Sequence, residues 1–303
     1  MTAPARLESL TLGIIGLGLI GASLASGLTQ RCPKIRLLGC DQNPDTLHQA
    51  QQLQLIEAGY DNPADLCAHC DLIVLAVPVL STQKVLAALA PGLQQFPTAL
   101  TDVGSVKGVV AAAAQQVFGF VPPWFVPGHP IAGSEFSGIG AADPDLFCHH
   151  AVILTPDHQS DATIVQLLTE LWQTLGAQVT TMPIQHHDEV LAGTSHLPHL
   201  LSFALVDCLA NGSDQYEMFE FAAGGFRDFT RIAASDPTMW HDISLANADA
   251  LLRVLGRYQH QLDSVRTALE KRDGEALKAL FQRAKRGRDH FSARLSSRRG
   301  DSA

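Results

Sequence analysis

Short apolar runs alternate with longer amphipathic stretches through the first three fifths of the chain. The runs predict strands, and the stretches, in which apolar residues recur every three or four positions, predict helices. The predicted strands lie at residues 10–15, 35–40, 72–77, 99–103, 151–155 and 178–182. The predicted helices lie at residues 21–30, 45–54, 81–89, 106–118 and 161–175. This alternation is typical of a mostly parallel sheet with helices on both faces, which is the doubly wound α/β fold.

The pattern changes at Pro183, beyond which strand-like runs disappear and helical periodicity continues. Helices are predicted within residues 187–209, 237–269 and 274–295. We therefore expect two domains, an α/β domain at residues 1–183 and an all-helical domain at residues 184–303. Fold-level analogy predicts a substrate cleft between the two domains and dimerisation through the helical one.

The composition of the 303 residues agrees with a protein that buries a large core, since 46% are apolar and 17% are charged. The formal net charge of −9 offers no electrostatic attraction to nucleic acid or to an anionic membrane. The uncharged stretch at residues 10–28 approaches the length of a membrane span, but its glycines are spaced as a strand, a turn and a helix require. No nucleic-acid or membrane partner is expected.

Six cysteines are scattered through the chain, unlike the closely spaced pairs of a disulfide framework. Cys67 and Cys70 match the CxxC spacing, but they precede an apolar run rather than forming the turn of a redox motif. We interpret that match as coincidence. Reduced thiols predict a cytoplasmic protein.

A glycine-rich turn, GLGLIG at residues 16–21, follows the first predicted strand and opens the first predicted helix. This is the Rossmann-type fingerprint, in which the first glycine allows a tight turn, the second lets the backbone approach a pyrophosphate, and the third lets helix and strand pack closely. Asp41 follows the second strand, where a carboxylate accepts hydrogen bonds from the ribose hydroxyls and repels a 2′-phosphate. NAD is therefore expected and NADP is disfavoured; FAD, which the motif alone would allow, does not fit the loop described next. The predicted cofactor-binding residues are Gly16, Gly18, Leu19, Ile20, Gly21, Asp41, Val77 and Lys107.

The segment GHPIAGSEFSG, residues 128–138, places a histidine between a glycine and a proline, which predicts a shaped loop rather than a helix or a strand. His129 follows the carboxyl edge of the sheet, where a nicotinamide is expected, and histidine suits removal of a hydroxyl proton during hydride transfer. A second loop, DVGSVKG at residues 102–108, offers Ser105 as a hydroxyl partner and Lys107 as a cation. The alternatives are that His129 only fixes its own loop and that Ser105 only caps the following helix.

Two further motifs lie in the predicted helical domain. In SHLPH, residues 195–199, His196 and His199 are three positions apart, but no HExxH-type glutamate accompanies them, so no metal site is expected. In GGFRDFTRIAASDPTMW, residues 224–240, Arg227 and Arg231 are four positions apart and share a helix face. Arginine binds carboxylates through paired hydrogen bonds, which indicates an acidic substrate; surface or intersubunit salt bridges are the alternative.

Taken in order, GLGLIGAS, DVGSVK, GHPIAGSEFSG, SHLPH and GGFRDFTRIAASDPTMW resemble the prephenate/arogenate dehydrogenase family over most of the chain. The resemblance implies a homodimeric, NAD-dependent enzyme of tyrosine biosynthesis that converts prephenate to 4-hydroxyphenylpyruvate by oxidative decarboxylation. It implies catalytic roles for His129, which hydrogen-bonds the ring hydroxyl, and for Ser105, which assists at the same hydroxyl. The substrate-binding residues that it implies are His196, Arg231 on a substrate carboxylate, Glu135 and Asp228 as acidic partners of that arginine, and Trp240, which reaches the site of the partner subunit. Arg227 is predicted to bind substrate from its spacing to Arg231.

The side chain of the substrate is left open by these residues. Prephenate and arogenate share the ring, its hydroxyl and a carboxylate, so an arogenate dehydrogenase and a dual-specificity cyclohexadienyl dehydrogenase are alternatives. A β-hydroxyacid dehydrogenase of the same architecture is disfavoured, because such enzymes often use a lysine of the helical domain and no lysine lies between Lys107 and Lys271. A non-catalytic dimer that responds to NAD is the alternative outside enzymes, and it would bind NAD without turnover.

Overall fold

The computed structural model describes residues 5–134, 136–211 and 219–299, and within them two sheets form. The larger sheet consists of β1 (Thr11–Ile15), β2 (Arg36–Cys40), β3 (Ala58–Tyr60), β4 (Leu72–Leu75) and β5 (Ala99–Asp102). These strands are all parallel in the order β3-β2-β1-β4-β5, which is the Rossmann-type arrangement. The smaller sheet consists of β6 (Gly128–Pro130), β7 (Ala151–Leu154) and β8 (Gln178–Thr181), and β6 runs antiparallel to β7.

Helices connect and follow the strands. Around the sheets lie α1 (Ala5–Glu8), α2 (Leu19–Arg31), α3 (Pro44–Gln52), α4 (Pro63–Leu66), α5 (Thr82–Gln95), α6 (Lys107–Phe118) and α7 (Ala162–Thr174). After β8 come α8 (Ile184–Leu191), α9 (Leu197–Ala210), α10 (Gly224–Thr230), α11 (Pro237–Ala246), α12 (Ala248–Glu270) and α13 (Gly274–Arg299). Short 3₁₀ turns lie at Val79–Ser81, Ile139–Ala141 and Arg231–Ala234.

Both faces of the larger sheet are buried, because successive side chains of a strand point to opposite faces. Leu12 and Ile14 of β1 belong to one apolar cluster, whereas Ile15 belongs to the other. Trp172 of α7 packs edge-on against Phe147 in the first cluster, with ring centroids 5.1 Å apart. Since the strands are parallel, the loops that follow β1, β2, β4 and β5 emerge along one edge of the sheet.

The predicted loop at residues 128–138 is wrong for its first three residues, which form β6. Glycine and proline favour a turn, but pairing with β7 overrides that local preference. The amide of Thr155 donates to the carbonyl of Pro127 at 2.9 Å, and the amide of Ile131 donates to the carbonyl of Ala151 at 2.8 Å. These hydrogen bonds hold the backbone on both sides of His129 extended.

The change to helices at Pro183 is confirmed in the described part of the chain, but two predicted helices are divided. A π-helical turn, Ala192–His196, separates α8 from α9. Pro198 lies in the first turn of α9 and has no amide hydrogen for the preceding turn, which the wider π turn accommodates. Asn247 ends α11, and α12 begins at the next residue.

Two compact units make up the chain, Met1–Ala248 and Asp249–Ala303. The first contains both sheets and the helices from α1 to α11, and the second contains α13 and nearly all of α12. The domain boundary at residue 183 stays a prediction. Among the described helices, none combines the length and the hydrophobicity that crossing a membrane requires.

Candidate active site

The glycine-rich turn between β1 and α2 requires glycine at two of its positions, Gly16 and Gly21. Gly16 has a φ of +93°, and a Cβ there would lie 2.4 Å from the carbonyl oxygen of Ala76. A Cβ on Gly21 would lie 1.9 Å from the carbonyl oxygen of Gly16, whereas a Cβ on Gly18 would meet nothing within 4 Å. The amino end of α2 is therefore open beside Gly18, and its amide groups can receive an anion. This first helical turn also contains Leu19 and Ile20.

Asp41 is fixed beside this turn by backbone amides. Leu17 donates to one carboxylate oxygen and Asn43 to the other, each at 2.9 Å. A Cβ on Gly16 would lie 3.1 Å from the Val77 side chain, so Val77 borders the turn as well. The loops after β1, β2 and β4 thus gather the predicted cofactor residues at one edge of the sheet.

Lys107 has a different place from the one predicted. Its side chain is 0% exposed, and its ammonium pairs with Asp102 and donates to the carbonyl of Gly128 at 2.8 Å. The amide of Gly128 donates to the same carboxylate at 3.2 Å. This buried cluster ties the end of β5 to the residue before His129, and its burial argues against the predicted contact between Lys107 and a cofactor.

His129 is held by a second histidine that is itself held by a carboxylate. His129 Nδ1 lies 2.9 Å from His187 Nε2, and His187 Nδ1 lies 2.8 Å from Asp188 Oδ1. An ionised carboxylate only accepts, so His187 carries a proton on Nδ1. When His187 is neutral, its Nε2 accepts from Nδ1 of His129, and Nε2 of His129 is then the unprotonated nitrogen.

Asp188 also organises the start of α6. Its carboxylate accepts from the amide of Lys107 at 2.8 Å and from the amide of Gly108 at 2.7 Å. Burial raises the pKa of Asp188, but the hydrogen bonds from His187 and from these two amides outweigh burial, and the net pKa is lowered. Val106 is the N-cap of α6 and makes no side-chain capping bond, so the alternative role of Ser105 as the cap is wrong. Ser105 instead lies half-buried in the loop before the helix.

The surroundings of His129 keep its ring neutral. The side chain is 8% exposed, and burial lowers its pKa well below the ordinary value for histidine. Electrostatic interactions with the neighbouring His187, Lys107 and His196 lower the pKa further. A neutral ring with a fixed Nδ1 proton makes Nε2 a base that is ready to accept a proton.

His196 lies at the end of the π turn and is 1% exposed. Asn247 Nδ2 lies 3.0 Å from His196 Nδ1 and also donates to the backbone carbonyl of Asp188 at 2.8 Å. Burial lowers the pKa of His196 to about 4, although Asp188 opposes this shift, while His187 and His199 add to it. His196 is therefore neutral near pH 7.

Trp240 is buried within its own chain, at 9% exposure, and its reach to the site of a partner subunit stays a prediction. Its ring stacks on His199, with centroids 3.6 Å apart, and meets His196 edge-on at 6.2 Å. Burial lowers the pKa of His199, and the charge of Arg231 lowers it further. Within the described residues, no group of three or more His, Cys, Asp or Glu side chains is arranged to hold a metal ion.

Comparison with known proteins identifies the family. Residues 24–181 match the family model described as prephenate dehydrogenase, nucleotide-binding domain. Residues 183–283 match the model described as prephenate dehydrogenase, dimerization domain. The chain belongs to the prephenate dehydrogenase family.

Individual relatives resemble the chain over most of its length. It is 37% identical to a cyclohexadienyl dehydrogenase of Zymomonas mobilis over 91% of this chain and 94% of the relative. It is 36% identical to a prephenate dehydrogenase of Bacillus subtilis over 94% of this chain and 76% of the relative. The crystal structure of the A. aeolicus prephenate dehydrogenase with hydroxyphenyl propionate and NAD+ superposes with a TM-score of 0.85, at 32% identity, covering 93% of this chain and 98% of that one.

Not all of the residues predicted for a prephenate dehydrogenase site meet in the described structure. Arg227 and Asp228 are exposed neighbours on α10, with 3.5 Å between Nε and a carboxylate oxygen. Their solvent-facing ion pair resembles the surface alternative, and their contact with a substrate stays a prediction. Glu135 lies outside the described residues.

Three residues of the prephenate dehydrogenase site were missed by reasoning from the sequence. His187 and Asp188 lie seven and more residues before the SHLPH motif at residues 195–199, and Asn247 ends α11. The available signal was the dense polar run HHDE at residues 186–189, which is unusual at the start of a helix that packs on a core. Their partners are 51 to 81 residues away in the chain, which no local pattern indicates.

Proposed function

We propose that this protein catalyses the NAD-dependent oxidative decarboxylation of prephenate to 4-hydroxyphenylpyruvate, a step of tyrosine biosynthesis. The observation that carries the proposal is His129, buried beside the carboxyl edge of a dinucleotide-binding sheet with its Nδ1 held by His187. Membership of the prephenate dehydrogenase family supports the same assignment.

The chain's residues fit a nicotinamide dinucleotide. The open backbone at Gly18 and the amino end of α2 suit a pyrophosphate, and Asp41 suits the two ribose hydroxyls. The Asp41 carboxylate would repel the 2′-phosphate of NADP, and Gln42 and Asn43 supply no positive charge to pair with it. NAD is therefore the proposed cofactor. When bound, it supplies the hydride acceptor for the alcohol carbon of the substrate.

His129 performs the proton transfer. Its Nε2 accepts the proton of the ring hydroxyl as the alcohol carbon loses hydride, and the carbon–oxygen bond becomes a carbonyl. The ring carboxylate leaves as carbon dioxide, and its bonding electrons pass through the ring to the carbonyl oxygen. The aromatic phenolate that results takes up one proton to become the phenol. The developing imidazolium is stabilised through Nδ1, which donates to His187 and thereby connects to the Asp188 carboxylate.

Substrate binding is assigned to residues around this base. Ser105 is half-buried in the loop after β5 and is proposed to hydrogen-bond the ring hydroxyl alongside His129. His196 is proposed to bind the substrate from the helical side, and Arg231 to bind a carboxylate through its guanidinium. His196 lies with Trp240 and His199 in one cluster, and the 3₁₀ turn that begins at Arg231 packs on α9, which supports a common site.

Arogenate is the alternative substrate, alone or together with prephenate. The family resemblance and the name of the Zymomonas mobilis relative, cyclohexadienyl dehydrogenase, both leave room for it. The assigned contacts involve the ring, its hydroxyl and a carboxylate, which both substrates contain. The side-chain amino group of arogenate is the feature that turnover measurements must discriminate.

A homodimer is proposed through the helical region, since residues 183–283 match a dimerization domain. The second unit supports this, because α12 and α13 expose large apolar side chains at 48–64% of their surface: Leu252, Leu262, Leu269, Phe281 and Phe291. Such a set on two helices is typical of a face that another subunit covers. Light scattering of the purified protein tests the proposal, and a mass of one chain would contradict it.

A cytoplasmic location is proposed from the cysteines. All six are free thiols. Burial raises the pKa of Cys67 to about 11 and that of Cys70 to about 12, so this CxxC pair lacks the reactive thiolate of a redox motif.

The test is the rate of NADH formation by the purified protein with prephenate and with arogenate, each offered with NAD and with NADP. Prephenate turnover with NAD, accompanied by one carbon dioxide and one 4-hydroxyphenylpyruvate per NADH, is expected. Turnover of arogenate alone would transfer the assignment to the alternative. Absence of turnover with every combination would overturn the proposed function.

A further inference from the structure

The side-chain amide of Asn247 contacts His196 directly and is connected to His129 indirectly, through Asp188 and His187. It ends α11, is 5% exposed, and lies 51 residues from His196 in the chain. Its Nδ2 donates to the backbone carbonyl of Asp188 at 2.8 Å and lies 3.0 Å from His196 Nδ1. Asp188 is the residue that holds His187 and, through it, His129.

The direction of both hydrogen bonds follows from the Asp188 carbonyl. A backbone carbonyl only accepts, so the amide of Asn247 must turn its NH₂ group toward it rather than its oxygen. The second hydrogen of that NH₂ group faces His196 Nδ1, which must then be an acceptor. A neutral His196 with an unprotonated Nδ1 carries its proton on Nε2.

The rest of the environment agrees with a neutral ring. The titratable groups that face His196 are Asp188 and His187 from α8 and His199 from α9. Burial lowers the pKa of His196 more than Asp188 raises it. Within the described residues, the Nε2 of His196 and the Nε1 of Trp240 are both buried without a hydrogen-bond partner. The two rings meet edge-on with centroids 6.2 Å apart, and a buried donor without a partner is costly, which favours an acceptor oxygen for His196 Nε2.

We propose that Asn247 is a positioning residue that holds His196 as a neutral Nε2–H donor for an acceptor oxygen of the substrate. The proposal rests on the proposed function only for the identity of that substrate. The two histidines then have opposite polarity: His129 presents a lone pair on Nε2 and takes a proton, whereas His196 presents a hydrogen on Nε2 and binds an oxygen. Asp188 determines both, the first through its carboxylate and the second through its backbone carbonyl.

The first test needs no substrate. In the full-length protein labelled with ¹⁵N-histidine, nitrogen–proton correlation spectra report which nitrogen of each ring is protonated, and the His196→Gln variant assigns the His196 signals. An unprotonated Nδ1 and a protonated Nε2 at pH 7 are expected. A protonated Nδ1 on His196 would overturn the proposal, and this result is obtained on the unmodified protein whether or not any variant folds.

The second test compares two asparagine-to-leucine variants. Asn247→Leu removes the donor to His196 Nδ1, so the His196 spectrum is expected to show the proton shared between both nitrogens. The KM for the substrate is expected to rise about tenfold to a hundredfold, with a smaller change in kcat. Asn211→Leu is the matched control, because Asn211 also ends a helix and donates to the carbonyl four residues earlier, on the surface of α9.

The outcomes separate the proposals. An unchanged His196 spectrum and KM in a folded Asn247→Leu protein would overturn the role of Asn247. Equal changes in both variants would do the same, because they would reflect a general loss of helix capping. A wild-type protein that turns over neither prephenate nor arogenate would overturn the proposed function, while the spectra would still decide the protonation of His196.

Discussion

Replacing His187 with leucine removes the group that supports His129 during proton transfer. His129 Nδ1 lies 2.9 Å from His187 Nε2, and His187 is 0% exposed, so water has no access to take its place. When His129 accepts a proton, this hydrogen bond acquires a charged donor and strengthens. Such a bond contributes about 1.5–3 kcal/mol, which corresponds to a decrease in kcat of roughly tenfold to a hundredfold when it is lost.

The assay is steady-state turnover of the His187→Leu variant, with the dissociation constant for NAD and the melting temperature measured beside it. His187→Gln is the matched variant, because an amide oxygen can still accept from His129 Nδ1, and its kcat is expected to lie between that of the wild type and that of His187→Leu. A folded His187→Leu protein with wild-type kcat would refute the support of His129 by His187.

Three further outcomes are expected. The pKa of His129 is lowered well below the ordinary histidine value, so kcat/KM should stay constant as the pH falls to about 6 and should decline only at lower pH. A decline centred at the ordinary histidine pKa would contradict this lowered pKa. The pKa of His196 is lowered to about 4, so its contribution to stability is present above the unfolded-state pKa and is lost as pH falls toward 4. The free energy of unfolding of His196→Gln, measured in urea, should therefore depend less on pH between these two pKa values, by up to about 3 kcal/mol. Equal pH dependence of the variant and the wild type would contradict the lowered pKa. Gly18→Ala should fold normally but bind NAD more weakly, because a Cβ at Gly18 meets no protein atom within 4 Å. Gly21→Ala should also lower the melting temperature, because its Cβ would lie 1.9 Å from the carbonyl oxygen of Gly16. Equal melting temperatures of the two variants would contradict the close packing at Gly21.

The α/β part of the fold could be predicted from the sequence because its signals are local. The apolar runs of β1, β2, β4 and β5 and the glycine turn at residues 16–21 each occupy a few consecutive positions. β3 and α4 were missed because three or four residues are too few to show a period. β6 was missed because its extended backbone depends on pairing with β7, which lies more than twenty residues later.

The candidate site, like the fold, has one part that local sequence predicts and another that depends on contacts between distant residues. His129 and His196 could be singled out from their unusual neighbours, glycine and proline in one case and a Pro198 turn in the other. What determines their protonation could not, because Asp188 and Asn247 reach them only through the folded chain. Lys107 was given a role at the cofactor from its charge alone, whereas folding buries that charge against Asp102.

The measurement that tests the central claim most directly is the effect of His129→Asn on kcat with prephenate, at a pH where NAD binding is verified by titration. The account predicts a decrease in kcat of about a hundredfold to ten-thousandfold with an unchanged dissociation constant for NAD. The exposed His158→Asn variant is the control, and it should keep the wild-type rate. Undiminished turnover by His129→Asn would contradict the assignment of His129 Nε2 as the base.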